Sequence, residues 1–220
     1  MNEIETPRAD LHQITQDLAE HYGQKFEEHG ATPRGVDWGS EADLKIRYDK
    51  MLEVIPAELK TAGLSLLDVG CGYGGLLAHA REKGFQIQYT GIDAASNLVD
   101  AGRMQHPESQ WIHGDVLTLN SEPTYDFVAC NGILTQKLHT SQDAMDAYAN
   151  TLAKKLFAIC RRGVAFNVMS THVNFTKDNL YHRDPAEFLG YCLREITWDA
   201  KLDHSYPLYE YTIFLFHEQT

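Results

Sequence analysis

Two kinds of apolar spacing alternate along the chain. Residues 65–69 (SLLDV) form a short continuous apolar run, which reads as a buried strand. Residues 75–83 (GLLAHAREK) then place apolar side chains at helical spacing, and Gly84 supplies the stop. The same alternation continues. Residues 86–92 (QIQYTGI) read as a strand, 96–105 (SNLVDAGRMQ) as a helix with Ser96 as its N-cap, and 111–113 (WIH) as a short strand. Residues 127–130 (FVAC) form a further buried strand, 143–160 a long helix closed by Arg161-Arg162-Gly163, and 164–169 (VAFNVM) a strand. Such β-α-β-α order predicts a parallel sheet with helices on both faces.

The two ends break the pattern. Residues 195–202 (EITWDAKL) and 210–216 (EYTIFLF) are strand-like runs joined only by a short link containing HSYPLY. A parallel return needs a crossover of about a dozen residues, so these two strands pair antiparallel. Before Gly63, residues 14–28 and 41–55 read as helices connected by HGATPRGVDWGS, a turn-rich linker. The predicted organisation is an N-terminal helical cap over residues 1–60 and an α/β domain over 61–220.

Composition narrows the partners. With 19 Lys plus Arg against 31 Asp plus Glu, the formal charge of −12 repels phosphate backbones and anionic lipid, so neither nucleic acid nor a membrane is an expected partner. The four cysteines show no C-x-x-C pair and no metal-ligand spacing, so we expect free thiols and no metal. The start MNEIETPRADLHQ has no signal-peptide pattern and no apolar run is of membrane-spanning length, hence a cytoplasmic location is expected. Whether the chain is a monomer or a homodimer is open.

The candidate chemistry begins at LLDVGCGYGG, residues 66–75. A glycine-rich turn between the first strand and a helix lets backbone N–H groups approach a ligand, as in dinucleotide sites. Asp68 decides between ligands. Its carboxylate would repel a pyrophosphate, whereas S-adenosylmethionine (SAM) presents an ammonium and a sulfonium there. Downstream, Asp93 in YTGID is placed to accept both hydroxyls of a ribose, and Asp115 in HGDV to accept from an adenine amine.

In these elements, together with YDFVACNG and the terminal hairpin, residues 60–220 resemble the class I SAM-dependent methyltransferases. That resemblance implies a seven-stranded sheet whose last strand inserts antiparallel, and SAM as co-substrate. It further implies that Asp68, Gly70, Cys71 and Gly72 hold the methionine part, Asp93 the ribose, and Asp115 with Val116 the adenine, with Cys130 and Asn131 under the sulfonium. Arg47 in RYDKML is the counterpart of an arginine that reaches the SAM carboxylate, or else a solvated helix arginine.

Methyl transfer needs an acceptor held in line, water excluded and, for a hydroxyl or ammonium acceptor, a base. Segments expected to roof the sheet carry His139, His172, Tyr181 and His182, with His204 and Tyr206 in the hairpin link. His139 and His172 follow strand ends and are the candidate bases, and Asn131 and Asn167 are candidates to orient the acceptor. No NPPY-like tetrapeptide follows the fourth strand, so adenine or glutamine amino groups lose support as acceptors. A small-molecule acceptor for O- or N-methylation remains. The alternative is a SAM-consuming enzyme that closes SAM's own amine onto its side chain, giving an azetidine-2-carboxylate-type product and methylthioadenosine. A dinucleotide oxidoreductase and a non-catalytic SAM-binding subunit are further rivals.

Overall fold

The computed structural model describes residues 8–218. Residues 1–7 and 219–220, at the tips of the two predicted units, lie outside that range. The chain opens with α1 (Arg8–His29), a 3-10 turn (Pro33–Val36) and α2 (Glu41–Leu52). Ser40 starts α2 by accepting the Asp43 N–H at 3.1 Å. Then follow β1 (Leu64–Val69), α3 (Gly75–Glu82), β2 (Ile87–Asp93), α4 (Ser96–Gln105), β3 (Gln110–His113), β4 (Tyr125–Leu134), α5 (Gln142–Ile159) and β5 (Cys160–Ser170). The chain closes with the two-residue β6 (His182–Arg183), α6 (Pro185–Glu195), β7 (Ala200–Asp203) and β8 (Glu210–Phe216).

The sheet runs β3-β2-β1-β4-β5-β8-β7, with β6 paired beside the end of β5. Strands β1 to β5 are mutually parallel, and β8 lies antiparallel between β5 and β7. Seven strands therefore make the continuous path, and the hairpin inserts its last strand as expected.

Strand alternation sorts the core onto the two faces. Leu67, Val69, Val128, Cys130, Val164 and Phe166 meet α5 and α6, while Leu66, Phe127, Ala129 and Ala165 meet α3. The N-terminal helices join these same clusters: α1 contributes Leu11, Ile14 and Leu18 to the first, and α2 contributes Met51 and Leu52 to the second.

Four details differ from the sequence reading. Ser96 is the first helical residue rather than the cap; Ala95 holds the cap position, and its N–H is taken by the Asp93 carboxylate at 2.9 Å. Arg161-Arg162-Gly163 does not end α5 as a separate terminator. These residues belong to β5, because Gly163 pairs with Phe127 on one side and Phe216 on the other. Residues 195–199 are not strand: Asp184 caps α6 through the N–H groups of Ala186 and Glu187, Pro185 sets its first turn, and Phe188 and Cys192 bury one face. Finally, β4 runs to Leu134, well past Cys130, with a register irregularity between the two.

A tight contact on the α4 side shows how closely helix and sheet approach. A Cβ at Gly102 would overlap the Trp111 indole, which is wedged beside Tyr89 and His106. Gly102→Ala would gain about 1 kcal/mol of helix propensity. Overpacking of about 1–3 kcal/mol should outweigh that gain. Urea denaturation of the variant should therefore show a lowered midpoint; an unchanged or raised midpoint would mean that the indole can move aside.

Candidate active site

Four strands end at one edge, and the turns that follow them enclose a cavity. After β1 the backbone turns sharply through Gly70 at φ +71°, and its N–H and that of Cys71 donate to the Ile92 carbonyl. Only glycine fits at position 70, since a Cβ there would lie 2.8 Å from Ile133 Cγ1 as well as in a left-handed conformation. The loop continues to α3, whose N-cap is Gly74 at φ +93° with no side-chain cap. Helix α3 thus presents its first N–H groups without a capping oxygen, a favourable place for a carboxylate. The Tyr48 hydroxyl lies against Gly75 at the same helix start.

Three carboxylates line this cavity. Asp68, at 2% exposure, is held by the Tyr89 hydroxyl, which donates to Oδ2 at 2.7 Å. Burial raises its pKa to about 7, the charge of Asp93 adds to the rise, and the tyrosine hydrogen bond opposes it. Asp93 accepts the Gly72 N–H and the Ala95 N–H at 2.9 Å each. Its pKa is also raised by burial, against those backbone donors. Asp115 accepts the Leu117 N–H at 2.9 Å and approaches His12 of α1 at 3.3 Å. Among the described residues, no Lys or Arg lines the cavity, so its electrostatic character is that of a cation site.

Helix α1 and the loop after it form the roof. Thr15, Leu18 and Tyr22 face the cavity; the Thr15 and Tyr148 hydroxyls share a hydrogen bond, and Tyr22 donates to the Gly132 carbonyl at 3.3 Å. Trp38 closes the far side. It fills the space that a Cβ on Gly132 would take, 2.9 Å from its Cζ2.

Of the residues singled out in the sequence, Asp68, Gly70, Cys71, Gly72, Asp93, Asp115, Val116 and Asn131 all line this one cavity. Asn131 Oδ1 is buried there without a hydrogen-bond partner. Cys130, one residue earlier, is instead packed in the core on the α1 and α5 face. Arg47 stands behind Trp38, stacked on its ring at 3.8 Å and ion-paired with Glu210. The two histidines are not brought to the cavity. His139 has 79% of its side chain exposed and meets Asp17 of α1, and His172, 68% exposed, points toward Asp184. Each follows a strand end, but the chain has already turned outward.

Sequence reasoning missed Tyr89, Trp38 and Glu210. Tyr89 was within reach of the period-2 rule, because its partner in the β1–β2 register is Leu66, on the same face as Asp68. Glu210 opposes Met169 at the β5 end, so the antiparallel hairpin carries it to the edge where the parallel strands finish. Nothing local marks Trp38.

The residues fit SAM: a glycine cradle with no room for a Cβ, an uncapped helix start for the carboxylate, acidic groups for the cationic parts and an unsatisfied Asn131 oxygen on β4. Comparison with known proteins agrees. A family model described as "Methyltransferase domain" matches residues 66–156. A protein of Mycobacterium tuberculosis (strain ATCC 25618 / H37Rv), named "Putative methyltransferase Rv1506c", is 31% identical over 153 residues, 69% of this chain and 92% of that protein. Magnesium protoporphyrin IX methyltransferase (ChlM) from Synechocystis PCC 6803, solved with bound SAM, has a TM-score of 0.64 at 14% identity, covering 97% of this chain and all of that one. Phosphoethanolamine N-methyltransferase 2 of Haemonchus contortus, in complex with SAM, gives 0.59 at 16% identity over 89% of this chain and 44% of its own. These two likenesses are of fold. The chain belongs to the class I SAM-dependent methyltransferases, enzymes for which SAM is the co-substrate. Among the described residues, no helix is long and apolar enough to cross a membrane.

The raised pKa of Asp68 gives a testable sign. A cation favours the charged carboxylate, so SAM binding near pH 7 should release a proton, and affinity should fall as pH drops below about 7. Calorimetry in buffers of different ionisation enthalpy would detect the release; its absence at pH 7 would show that Asp68 is already ionised. In the free protein the linkage runs the other way. An unfolded carboxylate titrates near 3.8, so Asp68 costs stability progressively from about pH 4 to about pH 7. Asp68→Asn should therefore melt higher than wild type at pH 8, differ little at pH 4, and bind SAM more weakly.

Proposed function

We propose that this enzyme transfers the SAM methyl group to an oxygen or nitrogen of a small-molecule acceptor. The observation that carries the reading is the cavity itself, roofed by α1 and Trp38 and walled by the glycine turn, Asp68, Asp93 and Asp115. The names of the fold relatives point the same way: one acts on magnesium protoporphyrin IX and another on phosphoethanolamine.

In this reading Asp68 holds the ammonium of SAM, the Gly70–Cys71–Gly72 turn and the start of α3 its carboxylate, Asp93 the ribose hydroxyls, and Asp115 with Val116 the adenine. Asn131 lies toward the sulfonium end. When bound, SAM supplies a methyl group already activated by positive sulfur. The chain's own task is then to orient and to exclude water. Within residues 8–60, α1 and the loop after it serve as the lid, held down by His12 on Asp115 and by Tyr22 on Gly132.

Incubation with SAM and a panel of hydroxyl, carboxyl and amino compounds tests the proposal. Acceptor-dependent S-adenosylhomocysteine (SAH) is expected, and methylthioadenosine released without any acceptor would overturn it. Asp93→Ala should weaken SAH binding at least tenfold, since hydrogen bonds to a charged group are worth about 1.5–3 kcal/mol. Affinity within twofold of wild type in a folded Asp93→Ala protein would remove Asp93 from the ribose site.

A further inference from the structure

Behind Trp38 lies a closed circuit of polar side chains that the cofactor site does not use. Asn167 on β5 accepts the Gly132 N–H at 2.8 Å and donates to Glu210 on β8; Glu210 pairs with Arg47 on α2; Arg47 stacks on Trp38; and Trp38 covers Gly132. The circuit sits where β4, β5 and β8 meet the catalytic edge, next to Asn131. Glu210 is 2% exposed, and both its oxygens are engaged.

Arg47 is not saturated. Glu210 takes Nη2, whereas Nε and Nη1 are buried with no hydrogen-bond partner among the described residues. Two orphaned donors on a buried guanidinium are costly, and in native proteins such groups call for a ligand. The carboxylate of SAM is a poor match for them. It already has the uncapped start of α3, and Arg47 does not line the cofactor cavity.

We infer that the unpaired Nε–H and Nη1–H of Arg47 form the anchoring point for an anionic oxygen group, carboxylate or phosphate, carried by the methyl acceptor. This inference rests on the methyltransferase reading above and assigns its acceptor a chemical class. Charge-assisted hydrogen bonds from guanidinium are strongest to such groups. The rest of the edge reinforces the assignment by repulsion. Arg47 lies outside the cavity that Asp68, Asp93 and Asp115 line, so an acidic acceptor is oriented with its anion on Arg47, away from those carboxylates, and the remainder toward Asn131. Both donors are covered, and Trp38 is the cover that must shift. It follows a short 3-10 turn and Asp37, a non-glycine residue at φ +61°, so its loop is held in place by contacts rather than by regular structure.

The test uses the full chain saturated with SAH. Acetate, benzoate, inorganic phosphate and, as a cationic control, methylammonium are titrated in while the Trp38 indole N–H is followed by NMR; SAH affinity is measured separately by calorimetry. We expect at least one anion to bind at roughly millimolar Kd, with carboxylate and phosphate arms separating the two sources, and no saturable response to methylammonium. Arg47→Gln should weaken anion binding at least tenfold and leave SAH affinity within about twofold. Should that variant not fold, Arg47→Lys and Glu210→Gln carry the test: the first weakens anion binding, and the second, by freeing a third nitrogen, strengthens it. A tenfold loss of SAH affinity in the Arg47 variants would make Arg47 a cofactor ligand and overturn the inference. Equal anion binding by wild type and variant, or no anion binding by an SAH-competent wild type, would do the same. Failure of wild type to bind SAH at all would instead remove the methyltransferase site itself, and the inference with it.

Discussion

The position of one carboxylate constrains the rest of the site. Asp68 lies on the last turn of pleat before β1 ends, on the face that packs against α3, where burial opposes its ionisation. A buried acid is tolerated when something compensates it, and among the described residues only the Tyr89 hydroxyl does so by a hydrogen bond. In the proposed reading, the remaining compensation would come from a cationic ligand. The surrounding backbone follows from this arrangement. The glycine turn keeps side chains away from the space next to the carboxylate, and Asp93 secures the turn by accepting the Gly72 N–H, so two acidic groups one strand apart shape the same pocket.

The roof depends on the same edge. Helix α1 is fastened at several points along its length: His12 to Asp115, Thr15 to Tyr148, Tyr22 to Gly132 and Thr135, and Gly23 to Asn97. These contacts are individually modest, on the order of 1 kcal/mol each, and they hold a helix whose apolar side is already in the core. Lifting this roof would break those bonds and also expose Leu11, Ile14 and Leu18, which are part of the core. His12 is set directly on the carboxylate assigned to the adenine, so the closing contact and a ligand contact share Asp115.

Much of this was legible in the sequence, for a physical reason. Asp68 and Asp93 sit in the last residues of β1 and β2, and Asp115 just after β3, so their common edge follows once the sheet is parallel. The α4 and β8 boundaries were clear for the same reason: strong periodicity with defined ends. Residues whose placement depends on tertiary packing were not legible. The Arg161-Arg162-Gly163 run looks like a helix stop until the β4 and β8 ladders recruit it into β5. Helix α6 hides because EITW is rich in strand formers while the capping signal lies earlier, at Asp184-Pro185. His139 and His172 lie at suggestive distances from strand ends, yet sequence distance does not encode the direction in which a loop leaves. Arg47 stood in the sequence as the counterpart of an arginine that reaches the SAM carboxylate, or else a solvated one, but its partner Glu210 is 163 positions away, and only the hairpin brings the two together.

The cysteines of the site acquire a meaning from this electrostatic setting. Cys71 lies in the glycine turn and lines the cavity, and Cys130 is packed in the core on the α1 and α5 face. Burial pushes both thiols up in pKa, and the carboxylates push in the same direction, Asp93 and Asp68 on Cys71 and Asp68 on Cys130. A protonated thiol is a weak nucleophile. Burial, with the neighbouring carboxylates adding to it, therefore keeps both thiols protonated and poorly nucleophilic.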